Sequence, residues 1–439
     1  MDLKALRAEL ARTPSVIPEG RVRAVTGLAV RGTLPGARIG EVVRIRRRGE
    51  PLDAEIVGFS SGEIVALALG DVVGVGPDDV VEGTGETLHV PVGPGLLGRV
   101  VDGLGRPLDG LGRLEAVASV PVDRAPPAAL ERRPVTRALP TGIRALDAFS
   151  SLGQGQRVGL FAGSGVGKSR LLGSLARGAD VDVVVVALVG ERGREVGDFL
   201  REHLGEVGRK RSVVVASTSD APALERLRAA QAATAIAEFF RDQDQNVLLL
   251  VDSVTRVARA QRDVGLAAGE PPVRRGYPPS VFSMLPRLLE RGGQSARGSI
   301  TGVYTVLVEG DDLSEPIADE VRGLLDGHVI LDRDLSARGH YPAIDVLRSL
   351  SRVMSDVTSQ SHQRAARLVR ELLSAHEGKR DLIALGAYVR GKDALVDRAI
   401  AALPEITRLL RQDGSEVSTF EETSERLQKL AARYGLDAS

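Results

Sequence analysis

The stretch FAGSGVGKSRLLGS, residues 161–174, constrains this chain more than any other. The apolar run QRVGLFA (156–162) leads into it, and a segment of helical period follows, from Lys168 to Ala176. Strand, glycine-rich turn and helix, in that order, are the context a phosphate-binding loop requires. Gly163, Gly165 and Gly167 let backbone N–H groups turn inward. Ser164 and Val166 complete the turn, and the helix that starts there points its positive end at the phosphates. In that geometry Lys168 reaches the β- and γ-phosphates, and the Ser169 hydroxyl holds Mg²⁺. The consensus loop begins with glycine, where this chain has Ala162. One methyl at the loop's entry is tolerated if no left-handed conformation is needed there. Arg170 lies one residue into the helix and reads as solvent-facing.

The surrounding chain supplies a sheet for this loop. The run VDVVVVALV (181–189) is continuous and apolar, as in a strand buried on both faces. Further strands are expected at Ser212–Ser217, Val247–Val251 and Ile300–Val308, with helices at Glu195–Leu204 and Ala221–Arg241. Strands alternating with helices imply a mainly parallel sheet covered on both sides. Before it, residues 20–90 break into short Val-rich runs cut by Gly, Pro and Asp, the pattern of a small β-barrel or sandwich. That region holds one aromatic, Phe59, too few for a base-stacking nucleic-acid barrel. A short amphipathic helix, Leu3 to Ala11, precedes it. A Gly-rich connector (98–114) and a Pro-rich extended segment (116–142) follow it. After about residue 350 the strands stop and three helical stretches remain, RAARLVRELLSAH, DALVDRAIAALPEITRLLRQ and FEETSERLQKLAARYG.

At 439 residues the chain has room for two to four domains. Its 58 basic and 58 acidic residues cancel, so net charge offers no argument for nucleic acid or an anionic membrane. The absence of Cys excludes a disulfide framework and a thiolate metal site. The N-terminus has no apolar signal region, and no apolar run approaches the ~20 residues of a membrane span. The expectation is a cytoplasmic protein.

Three further places carry candidate chemistry. NVLLLVDSVTR ends an apolar strand in Asp252, where a carboxylate faces the ligand crevice and would hold Mg²⁺. VVVVALVGERGREVGDF ends another strand and then offers Glu191. Glu191 has two readings, a base that activates water for in-line attack or a group satisfied in an ion pair among Arg192, Arg194, Glu195 and Asp198. GHYPAIDVLRSLSRVMSD (339–356) offers Arg348 and Arg352, each a surface arginine or a finger reaching into a neighbouring site.

Taken together, these segments resemble the type III secretion ATPases, particularly the flagellar export ATPase, relatives of the catalytic β subunit of rotary ATP synthases. The stretches that carry the resemblance are FAGSGVGKS, ALVGERGREVGDFL, DSVTRVARAQRDVGLAAGEPPVRRGYPPSVFSMLPRLLERGG, GSITGVYTVLVEGDDLSEPIADEVRGLLDGHVILDR and GHYPAIDVLRSLSR. With DLIALGAY and LLRQ in the tail, they span roughly residue 90 to the end. The resemblance makes Ala162 the family's own form of the loop and marks Arg170 as a departure from its usual Thr or Val. It implies Glu191 as the general base, a position that is not Glu in non-catalytic rotary subunits. It further implies Arg192 beside the γ-phosphate, Asp252 as the magnesium acid, Arg352 as the finger in trans and Tyr341 stacked on adenine. In the loop GAYVRGKDA (386–394), Tyr388, Arg390 and Lys392 would face the pore of a ring.

The resemblance also implies an architecture and partners. The expected fold is an α/β core, RecA-like with a mainly parallel sheet, carrying an N-terminal β-barrel (1–88) and a C-terminal helical domain (351–439) around a core at 89–350. The expected activity is ATP hydrolysis by a homohexamer, with ATP and Mg²⁺ as ligands. The expected partners are stalk-like and stator-like export proteins, export substrates or chaperones, and a membrane export gate at the inner face of the cell membrane, without nucleic acid. LDRDLSARGHYPAIDVLRSLSR favours the flagellar over the injectisome branch. The rivals are a rotary ATP synthase subunit, which would be inactive alone, a ring helicase or RNA translocase, which RNA would stimulate, and a nucleotide-binding scaffold, against which Glu191 speaks.

Overall fold

The computed structural model describes residues 17–308, 310 and 312–435. The expected leading helix, Leu3 to Ala11, lies outside them. Six antiparallel strands between Glu19 and Thr87 close into a barrel. Closure comes from the first and last of them, with Glu19 opposite Glu82 and Arg21 opposite Val80. Side chains alternate as a half-buried strand requires: Val43 and Ile45 enter the barrel and Arg44 and Arg46 face out. Phe59 is exposed at the end of its strand, so the barrel core is aliphatic, with Val22, Val30, Ile56 and Val81 inside.

The central sheet has the strand order 350–351, 327–330, 157–162, 299–307, 246–252, 183–191, 212–218, 100–101. All neighbours are parallel except the antiparallel edge pair 327–330 with 350–351 and a short side strand at 293–294. Val183–Glu191 is buried along its whole length. Val183, Val185, Ala187 and Val189 pack on one face, and Val184, Val186 and Leu188 on the other. This explains why the run reads as unbroken apolar sequence, since both faces of the sheet are covered. The Gly-rich connector is more than a connector, because its Val100–Val101 forms the sheet's last strand.

The expected strands all form, within two residues of the anticipated ends. The structure adds core helices the pattern did not single out, Val254–Ala267, Pro279–Leu289 and Pro316–Leu324. The C-terminal part is three long helices, Gln360–Glu377, Ala394–Leu410 and Phe420–Tyr434. Their starts are capped: Asp393 accepts from two amides of the second, and Thr419 with Glu422 forms a capping box on the third.

Candidate functional site: a phosphate loop facing two strand-end carboxylates

Strand Arg157–Ala162 ends at the loop. Ala162 is still strand and buried, and its φ is not positive, so its methyl is accommodated. The left-handed positions fall later, at Gly165 (φ 78°) and Gly167 (φ 90°), where a side chain would strain the backbone. Gly167 caps the helix Lys168–Gly178 without a side-chain cap, so its first N–H groups face the loop. Val166 anchors the turn in the core, while Ser164 and Gly165 are exposed at its tip and Ser169 is half-buried in the first helical turn.

Sheet order then assembles the charges. Glu191 and Asp252 end strands that are direct neighbours, with Leu188 level with Asp252. They are 7% and 2% exposed. Lys168 Nζ donates to Asp252 Oδ1 and stands 3.5 Å from Glu191 Oε1. Thr305 Oγ1 donates to the same Asp252 oxygen at 2.8 Å. Glu191 is also ion-paired with Arg256, on the helix that follows Asp252. Two cations and two carboxylates thus meet at the carboxyl edge of a parallel sheet, where such folds bind ligands.

Not every expected residue joins this cluster. The Arg192 side chain is 78% exposed and lies 3.6 Å from Glu195. Arg352 is exposed just past the edge strand Leu350–Ser351, its amide bonded to Asp326 O at 2.9 Å. Arg348 is paired with Asp345 at the surface. Tyr341 does reach the loop: a Cβ on Gly167 would stand 3.3 Å from its ring. Ser336 Oγ lies 3.0 Å from the Tyr341 hydroxyl, and the Gln412 amide bonds its carbonyl. Arg170 departs from expectation. It is half-exposed, but its guanidinium lies over the Tyr341 ring and pairs with Asp413. In the loop 386–394, Arg390 and Lys392 are exposed, whereas Tyr388 turns back to donate to Asp397 Oδ1 at 3.0 Å. Sequence reasoning missed Arg256 and Thr305. Arg256 had a signal, four residues beyond Asp252 at the start of a helix.

Loop, sheet and paired carboxylates define a P-loop nucleotide hydrolase with a RecA-like core. The ATP synthase alpha/beta family, nucleotide-binding domain, matches residues 142–351, and the T3SS EscN ATPase C-terminal domain matches 358–429. The chain is 49% identical to the flagellum-specific ATP synthase of Bacillus subtilis, over 94% of each chain. It is 50% identical to the SPI-2 type 3 secretion system ATPase of Salmonella typhimurium, again over 94% of each. The structure of the assembled ATPase EscN from the enteropathogenic E. coli type III secretion system superposes with a TM-score of 0.89 at 44% identity, covering 94% of this chain and 99% of that one. The same EscN is also known in complex with its central stalk EscO. The chain belongs to the family of flagellum-specific and type 3 secretion system ATPases, and its reaction is ATP hydrolysis. Flagellar and secretion relatives match at nearly equal identity, so the branch is not separated by it.

Proposed function

We propose that this chain hydrolyses ATP in a homohexameric ring that energises type III export, at sites shared between neighbouring copies. The observation that carries the reading is the meeting of Lys168, Glu191 and Asp252 beside the glycine loop. The amides of Gly163 to Gly167 and Lys168 bind the phosphates. Ser169 and Asp252 suit Mg²⁺, which takes one or two protein oxygens and completes its shell with phosphate and water. The ion would neutralise charge developing on the γ-phosphoryl. Glu191 orients and deprotonates the attacking water, with Arg256 fixing its carboxylate. Arg192, at the surface beside it, serves the γ-phosphate region. Tyr341 supports adenine. Arg352, exposed at the sheet edge, supplies the finger to the next subunit.

In this reading residues 1–88, 89–350 and 351–439 act as ring collar, motor and output. The loop carrying Arg390 and Lys392 meets a stalk-like partner. Stator-like proteins, substrates or chaperones and the export gate complete the apparatus at the inner face of the cell membrane. No helix among the described residues is long and apolar enough to cross a membrane, which agrees with a cytoplasmic, peripheral location. The flagellar branch rests on the sequence LDRDLSARGHYPAIDVLRSLSR alone. Because each site needs a neighbour, turnover per chain should rise steeply with protein concentration. Constant turnover per chain across the range where monomers become rings would overturn the shared site.

A further inference from the structure

Arg170, the residue that departs from the usual loop sequence, does not point idly to solvent. Its guanidinium carbon stands 5.9 Å from the Tyr341 ring centroid. Its Nη2 donates to Asp413 Oδ2 at 3.1 Å, across 243 residues of sequence. Asp413 lies in the turn between the last two long helices, and that turn is firmly held. Arg177 and Ser174 donate to Gly414 O at 2.6 and 3.2 Å. Arg144 donates through Nε to Leu409 O at 2.9 Å and through its amide to Gln412 Oε1 at 2.8 Å. Gly414 makes room for the arrangement, since a Cβ there would overlap the Arg170 guanidinium. Ile143, Leu171, Leu331 and Ala343 line the same cavity with apolar surface.

The result is a slot beside the phosphate loop with Tyr341 as one wall and the Arg170–Asp413 pair as the other. The geometry points to Arg170 as the second wall of the base site and a determinant of its preference for purines; this rests on the placement of adenine at Tyr341. A planar guanidinium stacks on aromatic faces and on bases, as an ammonium does not. A base held between two faces needs about 6.8 Å, twice the roughly 3.4 Å spacing of stacked bases. The 5.9 Å separation therefore has to widen by about 1 Å, within the reach of a half-exposed arginine side chain. A purine offers a larger π-face than a pyrimidine and gains more from a second wall.

The test is calorimetric binding of ATP, CTP and tripolyphosphate to the assembled protein, with KM and kcat for ATP measured alongside. Arg170→Thr should weaken ATP about ten-fold, the scale of one lost stacking face. The loss should appear in KM more than in kcat, and CTP should lose less, so that purine preference shrinks. Tripolyphosphate, which has no base, should bind unchanged. Gly414→Ala should weaken ATP similarly while leaving Arg170 in the chain, and Arg170→Lys should fail to restore affinity. Full rescue by lysine would replace stacking with simple charge and overturn the proposal. An equal loss of tripolyphosphate would overturn it too, by placing the effect at the phosphate loop. If Tyr341→Ala weakens ATP and Arg170→Thr does not, the role of Arg170 alone fails. If neither does, adenine does not lie on Tyr341 and the underlying site assignment fails.

Discussion

Lys168 donates a hydrogen bond to Asp252 across 84 residues of sequence, and Glu191 closes on the same ammonium. The pairing is made of the groups that phosphate and magnesium would engage. In the proposed function, nucleotide entry would exchange partners, Lys168 passing to the phosphates and Asp252 to the metal. Lys168→Ala removes the ammonium that stands between two buried carboxylates. ATP binding should become undetectable at millimolar nucleotide, and turnover should fall at least about 100-fold. Isothermal titration and a phosphate-release assay check both.

Glu191 carries a different burden. Glu191→Gln keeps the shape and the neighbours but removes the proton acceptor. Turnover should drop by roughly 10²–10⁴ while ATP affinity stays within a few-fold. Loss of binding in step with turnover would make Glu191 a structural ion-pair residue of Arg256 instead.

The place of Arg352 at an exposed sheet edge predicts complementation. Lys168→Ala and Arg352→Ala subunits should each be inactive alone. Mixed, they form some interfaces with an intact loop on one side and an intact finger on the other. A mixture that never regains turnover, although both variants assemble as the wild type does, removes Arg352 from the site.

Arg144 ties the core to the turn that bears Asp413. Its side chain is buried and bonds the carbonyls of Leu409 and Arg411 and the hydroxyl of Ser418. Arg144→Ala leaves those acceptors without their donor. It should cost about 2 kcal/mol in denaturant unfolding and raise KM for ATP, because the slot against Tyr341 loses its backing. A variant with wild-type stability and KM would show that the turn holds itself.

Asp147 titrates with folding. Burial pushes its carboxyl up to about 7, although Thr141 and Gly142 donate to it. The unfolded chain releases that proton near 4. Between these values the folded state binds more protons, so this group's contribution to stability is full below about pH 4 and lost as pH rises to about 7. Urea midpoints of the wild type minus those of Asp147→Asn should fall across that window and level off above it. A difference independent of pH would mean Asp147 is ionised in the fold throughout.

Much of the site was legible because its chemistry is local. Strand, glycines, Lys168 and Ser169 are contiguous, and a turn followed by a helix places their atoms without help from the rest of the chain. Asp252 and Glu191 could be picked out because apolar runs buried on both sides announce where strands end. The three C-terminal helices were equally clear from their period. The core helices Val254–Ala267, Pro279–Leu289 and Pro316–Leu324 were not singled out, although they too lie in quoted stretches, and Pro286 interrupts the pattern of the second. With the first of them went Arg256.

The sequence by itself determined a phosphate loop, two strand-end carboxylates, the short aliphatic strands of an N-terminal β module and a helical tail, since each is encoded within a few turns or one strand. Only the tertiary structure decided which strands are neighbours, and hence that Lys168 faces both Asp252 and Glu191. It alone brought Arg256 onto Glu191, turned Tyr388 back onto Asp397, and laid Arg170 over Tyr341 against Asp413. Those contacts join segments up to 243 residues apart. Their geometry follows from sheet order and helix packing, which residue periodicity does not specify.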